Sequence, residues 1–120
     1  MLHIIGIKNC DTITKTKKWF KNKGIDFELI DVRESPLSVH ELSELEYKVG
    51  LDVILNRRSA TYRELGLAKQ NLNNKQLLEA LHEHQTMIKR PVLAYEDSVL
   101  VGYDEEAFEN FALEHNLLES

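Results

Sequence analysis

The chain predicts an α/β fold in which a mixed sheet carries an inserted helical subdomain. Three observations point there. Apolar residues alternate at a period of two near the start and again after Pro91, two central stretches carry matching helix-start signatures, and the order of elements is β-α-β, a helical block, then β-β-α. With 120 residues the chain is sized for a single domain. Within it, a core of residues 1–33 and 88–120 and a helical insertion over 34–87 are expected.

Leu2, Ile4 and Ile5 before Gly6 read as a first strand, and the segment that follows carries helix-compatible apolar positions at Ile13, Trp19 and Phe20 before a stop at Gly24. Ile25, Phe27 and Leu29 then alternate as a strand with one face buried. After Pro36, Ser38 is placed to cap a helix with Glu41 closing a capping box, and Leu37 and Leu42 stand where a hydrophobic staple needs them. Leu42, Leu45 and Val49 continue the stripe up to Gly50. The same grammar returns at Asn73 and Gln76, with Leu72 and Leu77 as staple and Leu78 and Leu81 beyond. Between the two, "LDVILNRRSATYRELGL" reads as a short helical piece and a loop. "VLAYEDSVLVGY" reads as two strands around a turn at Glu96 to Ser98. Asp104 is placed to cap the last helix, with Glu105 and Glu106 in its first turn and Tyr103 and Phe108 as staple.

A hydrophobic fraction of 42% with 29% charged residues is that of an ordinary globular protein, and two prolines with five glycines leave no linker or repeat array. The net charge of -5 opposes a general grip on a phosphate backbone, so no direct nucleic-acid contact is expected. No segment approaches the roughly 20 apolar residues a membrane span needs, and the start lacks the pattern of a secretory signal. The cytoplasm is the expected address. One cysteine forbids an internal disulfide and excludes a thiolate-rich zinc site. The five histidines make no ligand pattern either, because His82 and His84 stand two apart and point in different directions on a helix. No metal site is expected.

The chemistry centres on Cys10. It stands between a strand and a helix, where unpaired backbone N–H groups and the helix dipole can stabilise a thiolate, and Lys8 can add positive potential. The alternative is a small buried hydrophobe without reactivity. Asp11 and Thr12 read as helix-start support, most simply as capping groups, rather than catalytic acids. The second feature is "KRP" at 89–91, where Pro91 fixes the backbone before a strand and Arg90 offers a fork of donors to an oxyanion or a carboxylate, with a surface ion pair as the plain alternative. Arg57 and Arg58 form a third local basic feature, of which at least one is expected to be merely solvated.

Taken in order, "GIKNCDT", "LNRRSATYRELGL", "KRP" and "LVGYDEE" resemble the ArsC-like family, which contains arsenate reductases, Spx-type transcriptional regulators and YffB-like proteins. The resemblance spans about residues 2 to 112 and implies a thioredoxin-like sheet with a helical insertion, Cys10 at the start of the first helix and a cis bond before Pro91. It also implies substrate-binding positions: Arg90 matches the arginine before the proline, Asn56 falls at or near the first arginine of the reductases, and Arg58 stands close enough in sequence to compensate in part. The last arginine of the reductases falls in "LVGYDEE", which has none, so weak or absent arsenate reduction is expected. "VGYDEEAF" resembles the Spx-type regulators, but the second position of their C-x-x-C switch is Ile13 here.

"KNCDTI" with its single cysteine is similar to the YffB-like group and implies a glutathione-assisted thiol oxidoreductase. Glutathione or another thiol would serve as co-substrate, with no bound cofactor. The alternative implied by the resemblance is a regulator that binds the C-terminal domain of the RNA polymerase α subunit.

Overall fold

A computed structural model describes residues 1–118. It divides into two compact units, Met1–Ile30 joined by the chain from Arg90 on, and Asp31–Lys89.

In the first unit, β1 (Leu2–Gly6) leads to α1 (Asp11–Asn22) and on to β2 (Phe27–Asp31), whose last residue begins the second unit. After the second unit come β3 (Val92–Tyr95), β4 (Ser98–Val101) and α6 (Glu105–Glu114). Among the described residues the strands form one mixed four-stranded sheet in the order β2-β1-β3-β4. The central pair is antiparallel, with His3 opposite Ala94, Ile4 opposite Leu93 and Ile5 opposite Val92. β3 and β4 form a hairpin closed by Glu96 and Asp97, with Tyr95 opposite Ser98 and Glu96 at a φ of 53°. The β-α-β, β-β-α order around this sheet makes the fold thioredoxin-like.

The core of this unit is built from the predicted positions. Ile4, Ile13, Phe20, Leu93 and Phe108 are fully buried together, and each such side chain contributes about 1.5–3 kcal/mol relative to an exposed one. Ile25 is buried just ahead of β2 rather than within it, while Phe27 and Leu29 are half-buried. The reason is the exit from α1, where the Ile25 amide still donates to the carbonyl of Phe20 at 3.0 Å and delays the strand. Asp104 caps α6 by accepting from the amides of Glu106 and Ala107, and the Tyr103 and Phe108 rings meet edge to face at 5.1 Å.

The second unit is helical, with α2 (Val39–Val49), α3 (Leu51–Ile54), α4 (Ala60–Glu64) and α5 (Asn74–Glu83). Both predicted capping boxes form, at Ser38 with Glu41 and at Asn73 with Gln76. Gly50 ends α2 at a φ of 91°, a conformation that favours glycine. Where one helical piece was expected between the boxes, α3, α4 and a 3₁₀ turn at Leu67–Lys69 occur. Gln85 is buried and binds Leu37 from both sides of its amide: its Oε1 accepts from the Leu37 N–H at 2.8 Å and its Nε2 donates to the Leu37 carbonyl at 2.7 Å. The exit of the unit is tied to its middle by a Leu55–Ile88 bridge, flanked by Asn56 N–H to Met87 O and Lys89 N–H to Ile54 O, both 2.8 Å. No described helix is long and apolar enough to cross a membrane.

Candidate functional site

The approach to Cys10 is a tight turn at the end of β1. Lys8 and Asn9 turn the chain, and Asn9 takes a left-handed φ of 66°, which asparagine tolerates better than most residues. Cys10 itself is extended, with φ -90° and ψ 131°, and is the N-cap of α1; its carbonyl accepts from the Thr14 N–H at 2.9 Å. No side chain caps the helix. Asp11 and Thr12 therefore do not cap it, contrary to the simplest reading of the sequence. The turn at Asn9 starts the helix one residue early, making Asp11 the first helical residue, an exposed acid in the favourable first turn. Thr12 lies within that turn, and its carbonyl accepts the Thr16 hydroxyl at 2.7 Å. Cys10 is half-buried and packs against the core cluster.

The facing element is the start of β3. Carrying the β1–β3 register one pair beyond Ile5 and Val92 sets Gly6 opposite Pro91. The packing agrees, since a Cβ on Gly6 would lie 3.7 Å from Cγ of Arg90. The Arg90–Pro91 peptide bond is cis, Pro91 is buried, and its carbonyl accepts from the Gly102 N–H at 2.9 Å. Arg90 is half-buried and has no ion-pair partner among the described residues. Arg90 thus stands just ahead of β3, beside the strand that delivers Cys10, with no acid among the described residues paired to it. Lys8 is exposed on the turn.

Asn56 and Arg58 lie in the other unit, Asp31–Lys89. Asn56 is occupied locally, its Oδ1 accepting from the Arg58 N–H at 3.0 Å in a side-chain turn. The Arg58 guanidinium is exposed and has no partner among the described residues. Arg57 is the engaged one of the pair. It donates to Asp52 at 2.7 Å and to the Tyr62 hydroxyl at 3.3 Å, bonds that raise its pKa, Asp52 foremost.

The residue that sequence reasoning passed over is Gly6, read only as the end of a strand. A Cβ there would come within 2.6 Å of Cγ1 of Ile13, so the bare backbone is what lets α1 lie against β1 and sets Cys10 where it is. A glycine between a strand and the cysteine that starts a helix was the available signal.

Comparison with known proteins bears on these residues. The model of the ArsC family matches residues 5–111. An uncharacterized protein of Haemophilus influenzae is 36% identical over 110 residues, covering 91% of this chain and 96% of its own. The global transcriptional regulator Spx 2 of Oceanobacillus iheyensis is 34% identical over 105 residues, covering 86% of this chain and 78% of its own. A solved structure of a YFFB protein superposes with a TM-score of 0.86 at 28% identity, covering 92% of this chain and 97% of that one.

Proposed function

The chain belongs to the ArsC family, and from that premise we propose that it is a thiol oxidoreductase working through Cys10 with glutathione as its partner thiol. The observation that carries this is a half-buried Cys10 at a helix start without a side-chain cap, together with an Arg90 just ahead of β3 that has no ion-pair partner among the described residues. In the first step the Cys10 thiolate attacks one sulfur of an external disulfide. A new bond forms between Cys10 Sγ and that sulfur, the old sulfur–sulfur bond breaks, and the second sulfur leaves as a thiolate that takes up a proton. Because the chain holds no second cysteine, a glutathione thiolate must resolve the mixed disulfide, restoring Cys10 and carrying the first sulfur away as a glutathione disulfide.

Arg90 would orient the anionic end of glutathione, since a guanidinium fork matches a carboxylate and none among the described residues is paired with it. The backbone beside Pro91 would align the incoming peptide, with Lys8 adding positive potential on the turn. No bound cofactor is needed. A reducing compartment, the cytoplasm, suits a protein whose single thiol must return to the reduced state.

Wild type, Cys10→Ser and Arg90→Ala are incubated with oxidised glutathione and followed by intact mass, then assayed with reduced glutathione and a mixed-disulfide substrate. One glutathione adduct on wild type, none on Cys10→Ser, and turnover abolished in Cys10→Ser and weakened in Arg90→Ala are expected. An adduct on wild type without turnover would remove the reductase reading.

A second reading is favoured by the 34% identity to a global transcriptional regulator. In it the chain binds the C-terminal domain of the RNA polymerase α subunit without turnover. Ile13 is buried where the regulators' switch would need its second thiol, so such binding would not answer to a local disulfide. Titration of the purified α domain into the protein separates the two, since the oxidoreductase reading expects no complex.

A further inference from the structure

The second half of α1 carries a feature that the thiol chemistry does not use. From Lys15 to Lys23 the chain carries Lys15, Lys17, Lys18, Lys21 and Lys23 and no acid, although its net charge is -5. None of Lys15, Lys17, Lys18 and Lys21 has an ion-pair partner among the described residues. An open groove of about 400 Å³ is lined by Lys15, Lys18, Trp19 and Asn22 of α1 and by Tyr103 and Glu105. These α1 residues are three and four apart, so they form one row about 10 Å long.

Both aromatics of the groove touch the core. The Trp19 ring meets Phe20 at 4.8 Å and Phe108 at 5.5 Å, and Tyr103 meets Phe108 at 5.1 Å, so both groove-lining rings are anchored on the buried core. The Tyr103 hydroxyl donates to Glu105 Oε2, which gives that carboxylate a partner other than the lysines. Lys23 Nζ stands 5.4 Å from the Trp19 ring centre and adds a further positive charge. Anchored aromatics flanked by unneutralised ammonium groups recognise a ligand that is apolar and anionic at once.

We propose that this groove docks an acidic segment of a partner protein, with an aromatic side chain of that segment on Trp19 and Tyr103 and its carboxylates on Lys15 and Lys18. Glu105 decides between a peptide and a nucleic acid. A peptide spaces its charges and offers backbone N–H donors to that carboxylate, whereas a nucleic acid carries a phosphate at every residue and would face Glu105 and the neighbouring acids Asp104 and Glu106. The inference is independent of the Cys10 chemistry.

Trp19 is the only tryptophan, so its emission reports on the groove alone. The full chain is titrated with a capped peptide Glu-Glu-Phe-Glu-Glu-Phe, with its Lys-for-Glu counterpart and with an oligothymidylate, by tryptophan emission and by calorimetry. The acidic peptide should bind saturably and more weakly as salt rises. Its dissociation constant should increase about tenfold or more in the Lys15→Glu, Lys18→Glu double variant. Both lysines are exposed, so thermal melting should change little and serves as the check on folding. Equal binding of the basic peptide, tighter binding of the oligothymidylate, an unchanged affinity in the double variant, or no binding by either method would overturn the proposal.

Discussion

Gly6 and Ile13 pack with no room for a side chain between them: a Cβ on Gly6 would lie within 2.6 Å of Ile13 Cγ1. Ile13 is fully buried and cannot swing away without disturbing the core. Gly6→Ala should therefore destabilise the protein by about 1–3 kcal/mol, the usual cost of overpacking. In an Ile13→Ala background the same change should cost much less, a non-additivity that denaturant unfolding of the four proteins would measure. Equal costs in both backgrounds would remove this contact as the cause.

Gln85→Met should be the more damaging change in the helical unit. Methionine matches the length of the side chain but leaves the buried N–H and C=O of Leu37 without partners, at about 2–4 kcal/mol for the two groups. Asn73→Ala, which removes one exposed cap, should cost only about 1 kcal/mol. Urea unfolding would rank them, and the reverse order would show that the Gln85 bonds contribute little.

Arsenate should be reduced poorly even with glutathione and glutaredoxin supplied. By the resemblance, the first arginine position of the family's reductases falls at or near Asn56 and the last in "LVGYDEE", which has no arginine, and Asn56 accepts from the Arg58 N–H within its own turn. Two lost charge-assisted bonds at about 1.5–3 kcal/mol each correspond to roughly a hundred- to ten-thousand-fold in rate. Turnover equal to that of an arsenate reductase in the same assay would show that other groups hold the oxyanion.

Tyr103 should ionise late. Its hydrogen bond to the Glu105 carboxylate, helped by partial desolvation, pushes the phenol up to about 12. The carboxylate accepts a hydrogen bond from the neutral phenol and repels the phenolate, so both effects favour the protonated form. In Glu105→Gln the phenol should return toward its ordinary value of about 10. Phenolate absorbance, with Tyr103→Phe subtracted to isolate this residue, gives the measurement; an unchanged titration would detach Glu105 from the shift.

Legibility followed distance along the chain. Ser38 with Glu41 and Asn73 with Gln76 were readable because a capping box is closed within three residues by groups that meet wherever the helix forms. Asp104 and the ring pair Tyr103 and Phe108 were readable for the same reason. Cys10 at the start of α1 was readable, but the capping role was misassigned to Asp11 and Thr12, because local preference could not see that the turn at Asn9 had already committed Cys10 to the cap. The Gln85 tether joins residues 48 apart, and no local rule nominates a glutamine for it.

By itself the sequence determined the alternation of elements, the single thiol at a strand–helix junction and the family, since each depends on short periodicities or ordered motifs. Only the tertiary structure decided that β1 lies between β2 and β3, that Gly6 must lack a side chain because Ile13 sits against it, and that Arg90 stands ahead of β3 with no ion-pair partner among the described residues. Strand pairing and charge neutralisation bring together residues tens of positions apart. Which partners meet there is set by the burial of the whole core, to which every element contributes at once.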